Sequence, residues 1–172
     1  MSAETVTLKN NNRRKKIMFQ SGIVIAIFGA ALCALLGCCG SALGVMYAGR
    51  AAAGVVSEKP DLFGKMLVLQ ALPGTQGIYG FLIAILVLVN TGILGGEAAI
   101  TAAQGWGYFF ATLPMGIVGL ISGIAQGKTA ASAIHMTGKQ PDASGKGITM
   151  TALVETYAIL ALLTSILMMV NI

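Results

Sequence analysis

Four stretches of this chain are each apolar for the roughly 20 residues that a helix needs to cross a bilayer core, and no other feature restricts its fold as strongly. Of its 172 residues, 56% are hydrophobic and only 10% charged, where a soluble domain carries about 25% charge. The mean hydropathy of +0.82 agrees. The fold class is therefore all-α, a membrane protein with four transmembrane helices. Most of the 11 Lys and Arg stand at the ends of the apolar stretches or in an N-terminal arm, so the formal charge of +5 belongs to membrane-flanking segments. This leaves no folded basic surface for nucleic acid. No Gly-rich phosphate-binding loop runs into a Lys-Ser/Thr pair, so the chain is expected to bind no nucleotide and to be no enzyme by itself.

A shift of 81 residues lays the chain on itself without a gap. Pro60-Asp61 falls on Pro141-Asp142, Gly64-Lys65 on Gly145-Lys146, Ala71-Leu72 on Ala152-Leu153, Ile85-Leu86 on Ile166-Leu167 and Val89-Asn90 on Val170-Asn171. The chain is a tandem duplication, and repeats of this kind define architecture before any local signal does. Each half reads as a helical hairpin about a polar turn. After a basic arm over 1–16, the first hairpin occupies 17–90 and turns at 57–61. A linker over 91–102 follows, and the second hairpin occupies 103–172 and turns at 138–142. Pro60 and Pro141 punctuate the turns. The linker holds three glycines before Thr101 and one charge, Glu97, and Trp106 and Tyr108 suit a membrane–water interface.

Each half crosses twice, so both turns share one side and both termini share the other. Lys59, Lys65, Lys139 and Lys146 at the turns place that side in the cytoplasm by the positive-inside rule. The basic run from Lys9 to Lys16 argues for the opposite, but the linker has no Lys or Arg at all, which favours the turns. Arg13 to Lys16 followed by an apolar run and Leu35-Leu36-Gly37-Cys38 imitates a lipoprotein cleavage signal. The apolar stretch continues past Cys38 and its repeat has no such signal, so no cleavage is expected. Cys33, Cys38 and Cys39 match no zinc spacing and read as small packing residues. His135, near a turn, reads as a surface residue.

The first and third helices are dense in small residues, and the aligned pairs Cys38/Gly119, Ser41/Ser122, Ala42/Gly123 and Gly44/Ala125 are small in both copies. Such faces let membrane helices approach closely, because lipid removes the hydrophobic drive and dispersion must replace it. A compact inner layer is expected.

One carboxylate stands out. Glu155 lies nine residues from Lys146 in the fourth stretch, about 14 Å along a helix and so near the middle of a core roughly 30 Å thick. An ionisable group at that depth is a functional candidate by default. Its counterpart in the first half is Gly74. On the second helix, Leu72, Thr75, Gln76 and Tyr79 are spaced for one face, and Pro73 disturbs the turn and frees main-chain carbonyls. On the third helix, Gln126 lies thirteen residues from Lys139, about 20 Å along the helix. A proton would need only Glu155 and one partner. A dehydrated metal cation needs several oxygens and one negative charge, and Glu155, Thr75, Gln76, Gln126 and the Leu72 carbonyl supply that. The set favours Na⁺ over H⁺, and a single carboxylate is poor for divalent ions.

These residues resemble a known family, the duplicated proteolipid (subunit K, the c-ring subunit) of V-type ATPases, in its bacterial sodium-translocating form. The resemblance rests on the stretches Leu72-Pro73-Gly74-Thr75-Gln76-Gly77-Ile78-Tyr79-Gly80, Ser122-Gly123-Ile124-Ala125-Gln126-Gly127-Lys128 and Val154-Glu155-Thr156-Tyr157-Ala158. It implies that Glu155 carries the ion and that Leu72 (by its carbonyl), Thr75, Gln76 and Gln126 join it in coordinating Na⁺. It also implies that Tyr79 hydrogen-bonds the carboxylate. Further implied are a rotor ring of identical copies around lipid, a stator membrane subunit with an essential arginine, and a central stalk on the cytoplasmic turns. The basic arm is not part of that pattern. Two other classes fit the residues less well, a stand-alone small-ion channel or transporter and a structural four-helix membrane protein.

Overall fold

The hairpins are built on long helices interrupted only where proline demands it. The computed structural model describes residues 3–96 and 100–172, with side chains from residue 21 onward. Glu97, the linker's charge, lies outside the described residues. Helix α1 spans Ala3–Glu58, α2 Phe63–Ala71, α3 Thr75–Asn90, α4 Ala102–Lys139 and α5 Ser144–Val170. The backbone over 3–16 continues α1, so the segment set apart as an arm is an extension of the first helix. Short 3₁₀ turns at Pro60–Leu62 and Pro141–Ala143 open the returning limbs, each with proline in its first turn, where a missing N–H costs nothing. Ser21–Glu58, Pro60–Asn90, Ala102–Lys139 and Pro141–Val170 are each long and apolar enough to cross a membrane. The 38 residues of α4 extend about 57 Å, well beyond a bilayer core of roughly 30 Å. At its start, Thr101 accepts from the Gln104 N–H while the Gln104 side chain accepts from the Thr101 N–H, a reciprocal cap.

Within the chain, α1 and α4 run side by side in the same direction and form the inner layer. Glycines make the approach possible. A Cβ on Gly123 would lie 2.6 Å from the Gly40 carbonyl carbon, and one on Gly40 would lie 2.6 Å from the Gly119 oxygen. A Cβ on Gly127 would enter the backbone of Gly44. The expected close packing of the small-residue helices is therefore present. At the turns, Lys59 Nζ donates to the Gly138 carbonyl at 2.6 Å and Lys65 Nζ to the Pro141 carbonyl at 2.9 Å. The first of these bonds places a cation at the negative end of α4. Two of the lysines that argue for a cytoplasmic side thus also tie one hairpin to the other.

The core is two apolar clusters separated along the bundle. One, towards the turns, gathers Ala48, Leu62, Met66, Leu69, Ala130 and Ile134. The other gathers Cys33, Ile83, Val87, Ala111, Met115 and Ala158. Tyr108 belongs to this second cluster and is buried, whereas Trp106 is exposed beside Phe109 and Phe110. Tyr108 faces the bundle from α4, and Trp106 stands on the bundle's surface. Between the clusters lies a layer of buried polar side chains, Ser41, Gln76, Ser122, Gln126 and Thr151.

Candidate ion site

The break at Pro73 creates the site's first wall. Residues Leu72–Gly74 form a 3₁₀ turn between α2 and α3, as the missing N–H of Pro73 predicts. The Thr75 N–H bonds to the Leu72 carbonyl in that turn, and the Thr75 hydroxyl also approaches it, at 3.2 Å. The same hydroxyl lies 3.5 Å from Gln76 Oε1. Three oxygens are therefore crowded on one side of the break, and Thr75 has a single hydroxyl proton to place between two acceptors. Ser41 Oγ on α1 accepts the Gly77 N–H at 2.7 Å and anchors the start of α3 to the inner layer.

From there a chain of bonds crosses three helices. Gln76 Nε2 donates to Gln126 Oε1 and, at 3.2 Å, to Ser122 Oγ. Gln126 Nε2 donates to the Thr151 carbonyl at 3.3 Å and approaches Glu155 Oε2 at 3.5 Å. Tyr79 O–H donates to Glu155 Oε1 at 2.6 Å. Gln76 and Gln126 are fully buried, and Glu155, Tyr79 and Thr75 are half-buried. No buried side-chain nitrogen or oxygen among the described residues lacks a partner, which fits the high cost of orphan polar groups in an apolar medium.

The residues singled out in the sequence thus gather in one connected layer: Leu72 by its carbonyl, Thr75, Gln76, Tyr79, Gln126 and Glu155. Chemically the layer offers one carboxylate, two amide oxygens, the hydroxyls of Thr75 and Tyr79, and the carbonyl of the 3₁₀ turn. Among the described residues no three His, Cys, Asp or Glu side chains gather, so the donors are mostly neutral oxygens. Such a set suits a hard cation of single charge. Glu155 is held through both oxygens, by a short bond from Tyr79 and a long one from Gln126.

Ser122 and the carbonyls of Thr151 and Val154 join the layer without having stood out in the sequence. Ser122 Oγ accepts from Gln76 and donates to the Val154 carbonyl at 3.2 Å. Its position four residues before Gln126 is the available signal, since i and i+4 share a helix face. Main-chain acceptors have no residue-type signature. His135 is exposed, as expected, and all three cysteines are free thiols, with Cys33 buried and Cys38 and Cys39 exposed.

The geometry can be set beside known proteins. The family model for the C subunit of ATP synthase matches twice, over residues 28–87 and 109–168, one match per hairpin. The chain is 44% identical to the V-type sodium ATPase subunit K of Enterococcus hirae over 87% of its length and 93% of that relative's. It is 47% identical to the A-type ATP synthase subunit K of Methanocaldococcus jannaschii, over 90% of this chain and 63% of that one. It is 28% identical to the 16 kDa proteolipid of the V-type proton ATPase of Nephrops norvegicus, over 67% of this chain and 70% of that one.

Proposed function

The chain belongs to the family of the ATP synthase C subunit, and on that premise we propose that Glu155 is the carboxylate that loads, carries and releases its transported ion, and that this ion is Na⁺. The protein is a rotor-ring subunit of a rotary ATPase, a multi-pass membrane protein that translocates ions and does not itself hydrolyse ATP. The observation that carries the reading is the single polar layer between two apolar clusters, in which hydrogen bonds from α3 and α4 converge on the carboxylate of α5.

The ion enters with one positive charge and cancels the charge of Glu155, so the loaded site is neutral and tolerates the bilayer. Gln76 Oε1, Thr75 Oγ1 and the Leu72 carbonyl replace part of the ion's water. Their crowding around one hydroxyl proton, at 3.2 and 3.5 Å, is relieved when a cation sits among them. Gln126 offers Oε1 once it is released from Gln76. Tyr79 holds Oε1 of Glu155 and leaves Oε2 to the ion. A proton would leave most of these oxygens without a task.

The remainder of the mechanism follows from a half-buried carboxylate on the outer helix. Identical copies form the ring, a membrane stator faces each Glu155 in turn, and an arginine there displaces the ion by pairing with the carboxylate. Rotation is driven by ATP hydrolysis on partner subunits, or drives synthesis in reverse. The turns at 57–61 and 138–142 face the cytoplasm and the central stalk, with both termini opposite; lysine placement supports this orientation.

Labelling with a hydrophobic carbodiimide tests the ion. The reagent attacks protonated Glu155, and Na⁺ excludes the proton, so Na⁺ slows labelling at constant pH and ionic strength while K⁺ does not. Labelling at Glu155 that is indifferent to Na⁺ overturns Na⁺ as the cargo and leaves H⁺.

A further inference from the structure

Close packing of α4 calls for a small residue at Ser122, but it does not call for a hydroxyl. A hydroxyl in an apolar helix commonly bonds the carbonyl four residues back on its own helix. Thr129, Ser132 and Thr137 of α4 do this, at 3.1, 3.2 and 2.8 Å. Ser122 instead donates across to the Val154 carbonyl of α5 and accepts from Gln76 Nε2 of α3, both at 3.2 Å. It is buried where three helices meet, with 5% of its surface exposed. Its counterpart one repeat earlier, Ser41, accepts a main-chain N–H, that of Gly77, at 2.7 Å. The two equivalent serines thus have different tasks, and Ser122 is the one that acts on a side chain of the ion layer.

A glutamine amide can present either its oxygen or its nitrogen, and its partners decide which. A main-chain carbonyl can only accept. The Val154 carbonyl therefore takes the Ser122 proton and leaves Ser122 Oγ as an acceptor. The Thr151 carbonyl likewise takes Gln126 Nε2, at 3.3 Å, and so turns Gln126 Oε1 towards Gln76. Facing two acceptors, Gln76 gives its nitrogen to both and keeps Oε1 on the side of Thr75 Oγ1, 3.5 Å away. Loading removes one of the two. A cation that draws on Gln126 Oε1 competes for it with the Gln76 N–H, and Ser122 is then the acceptor that remains.

We propose that Ser122 is a positioning residue of the ion site. Tied to the Val154 carbonyl, it holds the Gln76 amide with Oε1 towards the cation and does not touch the cation itself. The inference rests on Gln76 and Gln126 being ligands, as read above, and adds the residue that aims one of them. Without the Ser122 hydroxyl, the loaded site holds a buried amide N–H with no partner, or an amide turned so that its nitrogen meets the cation. Both weaken the loaded state. The empty state changes less, because Gln126 Oε1 still accepts from Gln76 there. The loss therefore falls on ion affinity.

The test is the Na⁺ concentration that halves carbodiimide labelling of Glu155 in purified rings, read for the native chain, Ser122→Ala, Gln76→Met and the two substitutions together. Ser122→Ala should raise that midpoint roughly fivefold, the factor that one neutral hydrogen bond gives. Its Na⁺-free labelling rate and the mass of its complex should match the native ones. Because Ser122 acts through Gln76, adding Ser122→Ala to Gln76→Met should move the midpoint no further. A native midpoint in Ser122→Ala, or the same shift with and without Gln76, overturns the proposal and leaves the Na⁺ reading in place. So does a Na⁺-free rate or a complex mass that changes along with the midpoint, since that is what a structural role alone would give. Labelling of the native chain that ignores Na⁺ overturns the Na⁺ reading and this inference with it.

Discussion

Replacing Thr75 by valine removes one oxygen from the proposed ion site. The side chains are close to isosteric, and the hydroxyl's contacts are weak ones, 3.2 Å to the Leu72 carbonyl and 3.5 Å to Gln76 Oε1. The Leu72 carbonyl keeps its main-chain bond from the Thr75 N–H. Little is lost in the empty protein, so the change appears almost wholly in the loaded state. An oxygen facing a full charge in a low-dielectric site is comparable to a hydrogen bond to a charged group, about 1.5–3 kcal/mol. At about 1.4 kcal/mol per decade, the Na⁺ dissociation constant should rise roughly 10- to 150-fold. The assay is the Na⁺ concentration that halves the rate of carbodiimide labelling at fixed pH, with labelling in Na⁺-free buffer as the internal reference. The argument predicts a large shift in that midpoint with the Na⁺-free rate nearly unchanged. An unmoved midpoint would refute the assignment of Thr75 as a ligand. Equal loss in both conditions would mean that the substitution disturbs Glu155 itself.

Three other outcomes follow from named contacts. Tyr79→Phe removes the 2.6 Å bond to Glu155 Oε1, and should weaken Na⁺ protection by roughly tenfold, the equivalent of about 1.4 kcal/mol, while the fold and ring mass are kept. Gly123→Ala places a methyl 2.6 Å from the Gly40 carbonyl carbon, and overpacking of that kind costs about 1–3 kcal/mol. Its complex should melt earlier in detergent than Gly64→Ala, where a Cβ meets nothing within 4 Å. Lys59→Met loses the bond to the Gly138 carbonyl, for about 1 kcal/mol, and should lower the melting temperature without moving the Na⁺ midpoint.

Much of the site is legible in the sequence because the membrane makes polar residues informative. In an apolar stretch each of Thr75, Gln76, Gln126 and Glu155 needs a reason, and the repeat sets them at comparable depth without any coordinates. Pro73 announces the break between α2 and α3 through chemistry local to the chain. Ser122 reads in the sequence only as a small packing residue, since a serine at a close helix crossing satisfies that role whether or not its hydroxyl also bridges two helices. The carbonyls of Thr151 and Val154 depend on how α5 is rotated against α4, which no single residue type reports. The burial of Tyr108 is hidden in the sequence for a related reason. Its distance from the end of α4 suits an interface, but its side of the helix turns it into the bundle. The tie from Lys59 to the end of α4 joins residues 79 apart, a long-range pairing that charge placement alone does not suggest.

Equilibrium binding of radioactive Na⁺ to the purified ring tests the central claim most directly. The account predicts one Na⁺ per chain in the native protein, because Gly74 stands where a second carboxylate would be, and none above background in Glu155→Gln rings of unchanged mass. Retention of saturable Na⁺ binding at that stoichiometry in the Glu155→Gln ring would contradict it.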